Sequence, residues 1–180
     1  MDEKIVVKEL HVNDMYDEML ISFNRYQKVT RIWFNNNGEW QIKDHDYIED
    51  WDEAKKIERA KQFKTILAEH KGSIFGAYDE HKLIGFSVII HKFFGSDRQY
   101  VQLKYLHVSL EYRHKGIGKE LFKLSVEKAR DLGAKKLYIS ANDSEETQKF
   151  YLGIGCVDAV EINEALAQEE PYDRQMEYPV

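Results

Sequence analysis

Three apolar stretches in the second half of the chain predict two strands joined by a helix. Residues 100–108 (YVQLKYLHV) are rich in β-branched and aromatic side chains, which is typical of a strand buried on both faces. In residues 117–132 the apolar positions recur at helical spacing and leave a polar wedge, which predicts a largely buried helix. Residues 134–141 (AKKLYISA) again predict a strand. The three elements form a βαβ unit, whose two strands are parallel.

The pattern elsewhere predicts a hairpin, further helices and strands at both ends. Residues 73–78 and 83–91 are two apolar runs around a short turn and predict a hairpin. Asp50 or Asp52 is expected to start a long polar helix that ends near His70. The remaining predictions are a strand over residues 4–10, a helix from Asn13 or Asp14 to about Lys28, irregular chain over residues 31–50 with a turn at 35–38, a short helix within residues 161–170 and a final strand over residues 173–178.

Composition changes this picture by excluding several classes of protein. A chain of 180 residues is expected to form one domain, residues 1–180, with its own core. Its one cysteine, Cys156, excludes a disulfide within the chain and favours a reducing compartment, with the cytoplasm as the default. A net charge of −6 argues against a nucleic-acid partner. No apolar run is long enough to predict a membrane span, and no leader pattern is present.

A glycine-containing loop between the first strand and the helix of the βαβ unit predicts an anion site. The loop is RHKGIG, residues 113–118, and its two glycines allow a tight turn and a close approach of backbone to ligand. The helix presents its unpaired first N–H groups there, and Arg113, Lys115 and Lys119 add positive charge. These donors suit a pyrophosphate. The alternative is a simple tight turn with solvated cations.

A second motif follows the second strand. Residues 142–147 (NDSEET) are polar and predict a helix start, with Asp143 or Ser144 as the N-cap. The helix carries Phe150 and Tyr151 and is expected to end near residues 153–155, which hold two glycines.

The two motifs, in this order and at this separation, resemble the GCN5-related N-acetyltransferase superfamily, called GNAT. The similarity covers about residues 74–160. It implies an α/β (α+β) fold in which a mixed, mostly antiparallel sheet of about six or seven strands splays at its central parallel pair and carries helices on both faces. It also implies one domain, with residues 31–70 as an acceptor-side elaboration and residues 161–180 as a C-terminal helix and strand.

The resemblance further implies transfer of an acetyl group from acetyl-CoA to a primary amine through a tetrahedral intermediate, with no metal. It assigns Tyr151 as the catalytic residue, which would stabilise the departing thiolate. Backbone amides where the central strands splay would hold the oxyanion, and the glycine loop would hold the pyrophosphate. The implied cofactor-binding residues are Leu106, His107, Val108, Arg113, His114, Lys115, Gly116, Ile117, Gly118, Lys119 and Asn142.

Two of these assignments have structural alternatives. Tyr151 is otherwise an ordinary core aromatic residue, and Phe150 points about 100° away around the helix, so only one of the two is expected to face the cofactor. Asn142 is otherwise a capping or turn residue before Asp143.

The general base stays open. Some GNAT members carry a glutamate on the central strand, and counting back from Arg113 places Gln102 at that position, where an amide cannot take a proton. His107 has an ordinary pKa of about 6.5, but strand alternation puts it on the face of Leu103 and Tyr105. Glu177 and a water relay are the other candidates.

Residues 39–53 suggest the acceptor. They carry seven carboxylates against Lys43, interleaved with aromatic residues that suit a cation. The acceptor is therefore expected to be a small cationic amine, of polyamine or aminosugar type, or a protein lysine. The acids would equally favour a helix N-terminus, and the tryptophans could cover the core. A CoA-binding sensor without turnover and a nucleotide binder are the alternative functions, and a homodimer stays open.

Overall fold

A seven-stranded sheet runs through the protein, and the computed structural model describes residues 5–180. The strands and α-helices are, in chain order, β1 (Ile5–Leu10), β2 (Gln27–Asn36), β3 (Glu39–Glu49), α1 (Glu53–Ala68), β4 (Gly72–Asp79), β5 (Lys82–Phe94), β6 (Tyr100–Val108), α2 (Ile117–Asp131), β7 (Lys136–Ala141), α3 (Glu145–Gly153), β8 (Val157–Asp158), α4 (Glu164–Glu169) and β9 (Arg174–Pro179).

The strand order of the sheet is β1-β4-β5-β6-β7-β9-β8, and β2 pairs with β3 in a separate two-stranded sheet. Strands β6 and β7 are parallel, and every other neighbouring pair of the large sheet is antiparallel. This arrangement confirms the mixed, mostly antiparallel sheet and the parallel βαβ unit. Among residues 5–180, no helix combines the length and the apolarity that crossing a membrane requires.

Two apolar cores lie on opposite faces of the large sheet. On one face, α2 and α3 contribute buried Leu121 and Tyr151, which belong to the same cluster as Val101 of β6. On the other face, α1 contributes Phe63, which packs against Phe86 of β5. Helices therefore cover both faces, as the resemblance implied.

A bulge in β6 separates this strand from its parallel neighbour. The β6–β7 pairing runs only from Tyr100 opposite Lys136 to Leu103 opposite Ile139. At that point the β5–β6 register shifts, so that Lys104 is the extra residue between the paired Leu103 and Tyr105. An extra residue bends a strand and increases its twist. Beyond Lys104, β6 pairs with β5 alone, which confirms the predicted splay at the central parallel pair.

The same bulge corrects the predicted orientation of His107. Alternation predicts that Leu103, Tyr105 and His107 share one face, but Leu103 belongs to the core beneath α2. Tyr105 and His107 lie on the other face, with ring centroids 6.1 Å apart. One extra residue shifts every later side chain to the opposite face.

The predicted helix from Asn13 or Asp14 to about Lys28 is wrong. Val12–Asp14 forms a single 3₁₀ turn, further i to i+3 turns follow, and β2 already begins at Gln27. The apolar side chains that suggested a helix are nevertheless buried, because successive turns direct them into the core beside α1. They are Met15, Met19, Leu20 and Phe23.

The prediction of irregular chain over residues 31–50 is also wrong, because β2 and β3 form a long hairpin there. The predicted turn is confirmed: Asn37 and Gly38 both have positive φ, as a tight hairpin turn requires. Sequence patterning missed the strands because most of the hairpin is exposed and has little apolar alternation. Hydrogen bonds from the Trp33 amide to the Asp143 carbonyl and from Tyr47 to the Asp143 carboxylate attach the hairpin to the start of α3.

The other predicted elements are confirmed within a few residues. Asp52 caps α1 by accepting a hydrogen bond from the Lys55 amide, and Ser144 caps α3. The strand predicted over residues 4–10 is observed from Ile5, and residue 4 lies outside the described residues.

Candidate active site

Two cavities meet where β6 leaves β7. One, of about 810 Å³, lies beside the N-terminus of α2 and is called the α2 cavity. The other, of about 900 Å³, lies between α1, the end of β3 and the segment from α4 to β9, and is called the α1 cavity. Both cavities share the wall residues Arg25, Gln27, Leu106, His107, Thr147 and Tyr151.

The loop before α2 leaves a run of backbone amides without partners. Among the described residues, the N–H groups of residues 114–119 donate no hydrogen bond. His114 and Gly116 both have positive φ, and such alternation of backbone conformation makes successive N–H groups converge in a concave nest. The first turn of α2 adds the positive end of the helix dipole. This arrangement fits the phosphate groups of a ligand.

Most of the loop residues named by the sequence line the α2 cavity. Leu106, His107 and Val108 line it from β6, and Arg113, His114, Gly116, Gly118 and Lys119 line it from the loop and α2. The Ile117 side chain is 1% exposed in the core, so its contribution is limited to its backbone amide. Lys115 lies over the ring of Tyr112, outside the residues that line the cavity. The binding roles of these residues stay predictions.

Arg113 has a structural task that the sequence did not indicate. Its guanidinium donates to the Val108 carbonyl at 3.0 Å and to the Arg25 carbonyl at 3.2 Å. Burial and the neighbouring charge of Arg25 lower the pKa of Arg113. The side chain therefore holds the loop against β6 and the chain before β2.

Tyr151 is placed where the two cavities join. Its side chain is 7% exposed, it lines both cavities, and its hydroxyl donates to no described residue. Burial, followed by the charges of Cys156 and Asp173, raises the pKa of Tyr151, so the phenol remains protonated at neutral pH. An unpartnered, protonated hydroxyl is a free hydrogen-bond donor.

The expectation that only one of Phe150 and Tyr151 faces the cofactor side is wrong. Both line the α2 cavity, with ring centroids 5.2 Å apart, because the cavity extends along α3. Phe150 also packs beside Gly118, where a Cβ would lie 3.4 Å from its ring. Tyr151 alone of the two reaches the α1 cavity.

Asn142 lines the α1 cavity rather than the α2 cavity. Its Oδ1 accepts from the Ser144 amide at 2.9 Å and from the Tyr47 hydroxyl at 3.2 Å, and its Nδ2 donates to Glu49 at 3.1 Å. These bonds confirm the turn role before α3. The cofactor contact stays a prediction.

His107 is held as a neutral ring. It packs against Trp51 and Phe86, with centroid distances of 5.4 and 5.6 Å. Burial, together with the charges of Arg25, Arg113 and Arg59, holds its pKa well below the usual value. A ring with so low a pKa is a weak base at neutral pH.

Glu177 lies outside both cavities. It is 5% exposed and accepts hydrogen bonds from Tyr100, Lys136 and the Val160 amide. Burial acts to raise its pKa, but these hydrogen bonds outweigh it and lower the pKa. Its position within a satisfied cluster removes Glu177 from the candidates for the general base.

The α1 cavity is rich in carboxylates. Seven of them line it, against four basic side chains, and Trp51 supplies an aromatic face. Among residues 5–180, no three His, Cys, Asp or Glu side chains are arranged to hold a metal ion. The carboxylates are Glu49, Asp50, Asp52, Glu58, Glu169, Glu170 and Asp173.

Only part of the acidic segment 39–53 lies at this cavity. Glu39, Asp44 and Asp46 are on exposed parts of the hairpin, and Trp33 and Trp40 lie against Arg174 instead. The acids contributed by α1 and by residues 169–173 were not predicted from the sequence. The acidic run EEPYD at residues 169–173 was a signal, but it carried no indication of where the chain would return to the site.

The family model described as the acetyltransferase (GNAT) family matches residues 26–155. The chain belongs to the GNAT acetyltransferase family. A comparison with curated protein sequences finds no significant match.

Several solved acetyltransferase structures share the fold over almost the whole chain. Nourseothricin acetyltransferase superposes with a TM-score of 0.71 at 16% identity, covering 98% of both chains. A putative streptothricin acetyltransferase from Bacillus anthracis str. Ames, solved with acetyl coenzyme A, gives 0.70 at 16% identity, covering 96% of this chain and 95% of that one. The PaiA N-acetyltransferase from Thermoplasma acidophilum, in complex with coenzyme A, gives 0.61 at 19% identity, covering 98% and 99%. At such identities the likeness shows the fold.

We expect the His107 ring to stay neutral well below pH 6.5, because burial and nearby arginines disfavour its charged form. The unfolded chain takes up this proton near pH 6.5, so His107 should lower the free energy of unfolding as pH falls below about 6.5 and have no effect above it. NMR titration of the imidazole signals, assigned with His107→Gln, measures the pKa.

The charge of Arg25 is the second-largest cause of the low pKa of His107, after burial. Arg25→Gln should therefore raise this pKa part of the way to its ordinary value. A wild-type ring that titrates at pH 6.5 or above would contradict this account.

Proposed function

We propose that the protein is an acetyl-CoA-dependent N-acetyltransferase that acetylates a primary amine of a small cationic acceptor, of polyamine or aminosugar type. The observation that carries the proposal is the junction of two chemically different cavities at Leu106, His107 and Tyr151. One cavity offers free amides to an anionic donor, and the other offers carboxylates to a cationic acceptor. A reaction between the two substrates would take place at the junction.

The donor is expected to occupy the α2 cavity. The unpartnered amides of residues 114–119 and the cation Lys119 fit the pyrophosphate of coenzyme A. The edge of β6 freed by the splay, residues 104–108, offers backbone N–H and C=O groups to the amides of the pantetheine arm. Bound this way, acetyl-CoA would supply an activated thioester at the junction.

The groups at the junction suit the charges that develop in acyl transfer. A backbone amide of residues 106–108 on the side facing β7 would donate to the oxyanion of the tetrahedral intermediate. Tyr151 would donate a hydrogen bond to the sulfur as the C–S bond breaks. Its raised pKa makes full proton transfer to a thiolate, whose ordinary pKa is about 8.5, unfavourable, so a hydrogen bond is the expected role.

The acceptor side is expected to attract positive charge. Carboxylates outnumber basic side chains in the α1 cavity, and Trp51 offers an aromatic face. Two structural neighbours are, by their names, acetyltransferases of nourseothricin and streptothricin, which makes these compounds suitable test acceptors. A protein lysine carries the same charge and is the second candidate acceptor.

An assay of thiol release from acetyl-CoA with a panel of amines tests the proposal. We expect turnover with spermidine or streptothricin, because the cavity favours multiply charged cations, and little with glutamate, whose net charge is negative. A lysine-containing peptide distinguishes a protein acceptor. Turnover restricted to neutral or anionic amines would refute the proposed class of acceptor. No turnover with any amine would favour the alternative, a CoA-binding sensor without turnover. The amide Gln102 in the wall of the α1 cavity, where some GNAT members carry a glutamate, would then explain the lack of activity.

Gly116→Ala tests the phosphate cradle. Gly116 has φ 87° with nothing within 4 Å of an added Cβ, so alanine there is strained by about 1–2 kcal/mol and should disturb the convergence of the amides. We expect coenzyme A to bind roughly tenfold more weakly by calorimetry, which corresponds to about 1.4 kcal/mol.

Gly133→Ala is the matched control at the other end of α2. Gly133 has φ 88° and the same free space, so the two variants should lose similar stability, while only Gly116→Ala should lose affinity. Equal coenzyme A binding by both variants would argue against a site at the start of α2.

Tyr151→Phe tests the hydrogen bond to sulfur. Removing the hydroxyl should lower kcat by roughly 10²-fold with little change in the KM for acetyl-CoA, because the bond forms as the thiolate departs. Steady-state kinetics with the best acceptor measures both. Tyr138→Phe removes a hydroxyl that donates to Gln175 and accepts from the Asn163 amide, both outside the two cavities, and should leave kcat unchanged. An unaltered kcat in Tyr151→Phe would assign the tyrosine to the core.

A further inference from the structure

Asp173 occupies a fixed position in the wall of the α1 cavity, between α4 and β9. Its amide donates to the Glu170 carbonyl at 3.1 Å, and its carbonyl accepts from the Gln175 side chain at 3.2 Å. The next residue, Arg174, is buried, pairs with Asp158 and lies 4.4 Å from the centre of the Trp40 ring. The backbone on both sides therefore holds the Asp173 carboxylate at the cavity.

The Asp173 carboxylate differs from the other carboxylates of the cavity, because it is partly buried and has no hydrogen-bond or ion-pair partner among the described residues. Among residues 5–180, no hydrogen bond or ion pair reaches its oxygens. The other six carboxylates are engaged or exposed. Glu49 pairs with Arg25, Asp50 accepts from the Trp51 amide, Asp52 caps α1, Glu58 pairs with Lys55, and Glu169 and Glu170 are exposed to solvent.

The surroundings make Asp173 a stronger base than an ordinary aspartate. Burial raises its pKa to about 7, and the negative charges of Glu170, Asp143 and Glu49 act in the same direction. These charges face it from the end of α4, the start of α3 and the end of β3, and Tyr151 faces it from α3 as a neutral phenol. A group with a pKa near the working pH is the most effective proton acceptor.

We propose that Asp173 is the catalytic base: its carboxylate contacts the ammonium group of the acceptor and removes a proton before the amine attacks the thioester. The inference rests on the proposed N-acetyltransferase function and assigns the base that the sequence left open among His107, Glu177 and a water relay. Asp173 and Tyr151 line the same cavity, and the Asp173 charge acts on the Tyr151 phenol, so a base and a thiolate-side donor would both lie beside an amine bound there.

A dedicated base answers a difficulty created by the cavity itself. An amine with an ordinary pKa of about 10.4 binds as a cation, and the negative charges that attract it also hold its proton more tightly. Burial, the largest cause of the raised Asp173 pKa, acts in the opposite direction on an amine, because it disfavours the charged form of each group. Burial at the Asp173 end of the cavity would therefore narrow the difference between the two pKa values and favour proton removal.

The atoms of the step balance without a further reactant. Asp173 takes one proton from the ammonium, the nitrogen lone pair forms the C–N bond, and the carbonyl π electrons move onto oxygen. As the C=O bond re-forms, the C–S bond breaks and its electron pair leaves with sulfur. The nitrogen loses a second proton, the thiolate gains one, and the proton on Asp173 passes to water, so that one proton is released per turnover.

Asp173→Asn tests the assignment in the full-length protein with acetyl-CoA and the best amine of the panel. Asparagine matches the size of aspartate and removes no hydrogen bond made by the carboxylate, so the fold should persist, which coenzyme A binding verifies. We expect wild-type kcat/KM to rise through an apparent pKa near 7, and the variant to lose at least 10²-fold at pH 7 together with this inflection.

Glu170→Gln is the matched charge control. It removes the same negative charge from the same cavity, and Glu170 is the largest of the charges that raise the pKa of Asp173. This variant should keep the inflection but move it to lower pH, with a loss in kcat/KM much smaller than that of Asp173→Asn. A purely electrostatic role in binding would instead make the two variants lose similar activity without moving the inflection.

The outcomes separate the inference from the function on which it rests. If the wild type acetylates amines and Asp173→Asn keeps both its rate and its inflection near pH 7, Asp173 is not the base, and His107 or a water relay remains. If the wild type acetylates no amine, the proposed function fails and the assignment of a base fails with it.

Discussion

The departure of β6 from β7 at the Lys104 bulge is the constraint on which the rest of the site depends. Up to Leu103 the two strands are joined by parallel pairing, and beyond it β6 keeps a partner on one side only. A free strand edge inside a sheet is costly unless something pairs with it, because its backbone groups have lost their hydrogen bonds. The gap therefore suits an extended ligand that carries amide groups, and both cavities open from it.

The β2–β3 hairpin completes the site by attaching to the β7–α3 junction. Asn142 connects the turn before α3 to Glu49 at the end of the hairpin, and Glu49 in turn pairs with Arg25. Arg25 contributes to both cavities and its charge lowers the pKa of His107. The hairpin thus acts on the electrostatics of the junction as well as on the shape of the α1 cavity. Opposite charge preferences on the two sides of one gap would orient an anionic donor and a cationic acceptor toward each other.

Patterns of neighbouring residues were sufficient to predict the parts of the fold that depend on short stretches of the chain. The βαβ unit was predictable because its strands are buried and its helix has a regular apolar face, as at Leu121. The glycine loop was predictable because positive φ at Gly116 and free amides at a helix start depend on a few neighbouring residues. The hairpin over residues 27–49 and the turns of residues 12–26 were missed because their order comes from contacts with distant segments.

The sequence by itself determined the family, the central sheet and the loop of free backbone amides before α2, since each follows from residue types at short spacing. Tertiary structure decided which side chains share a cavity and what their pKa values are. The bulge at Lys104 reverses the face of His107, and the pairing of β9 with β7 places Glu177 in a closed cluster, while Asp173, just before β9, lines an open cavity. Proton affinity depends on burial and on charges from several elements, and these are brought together only when the chain has folded.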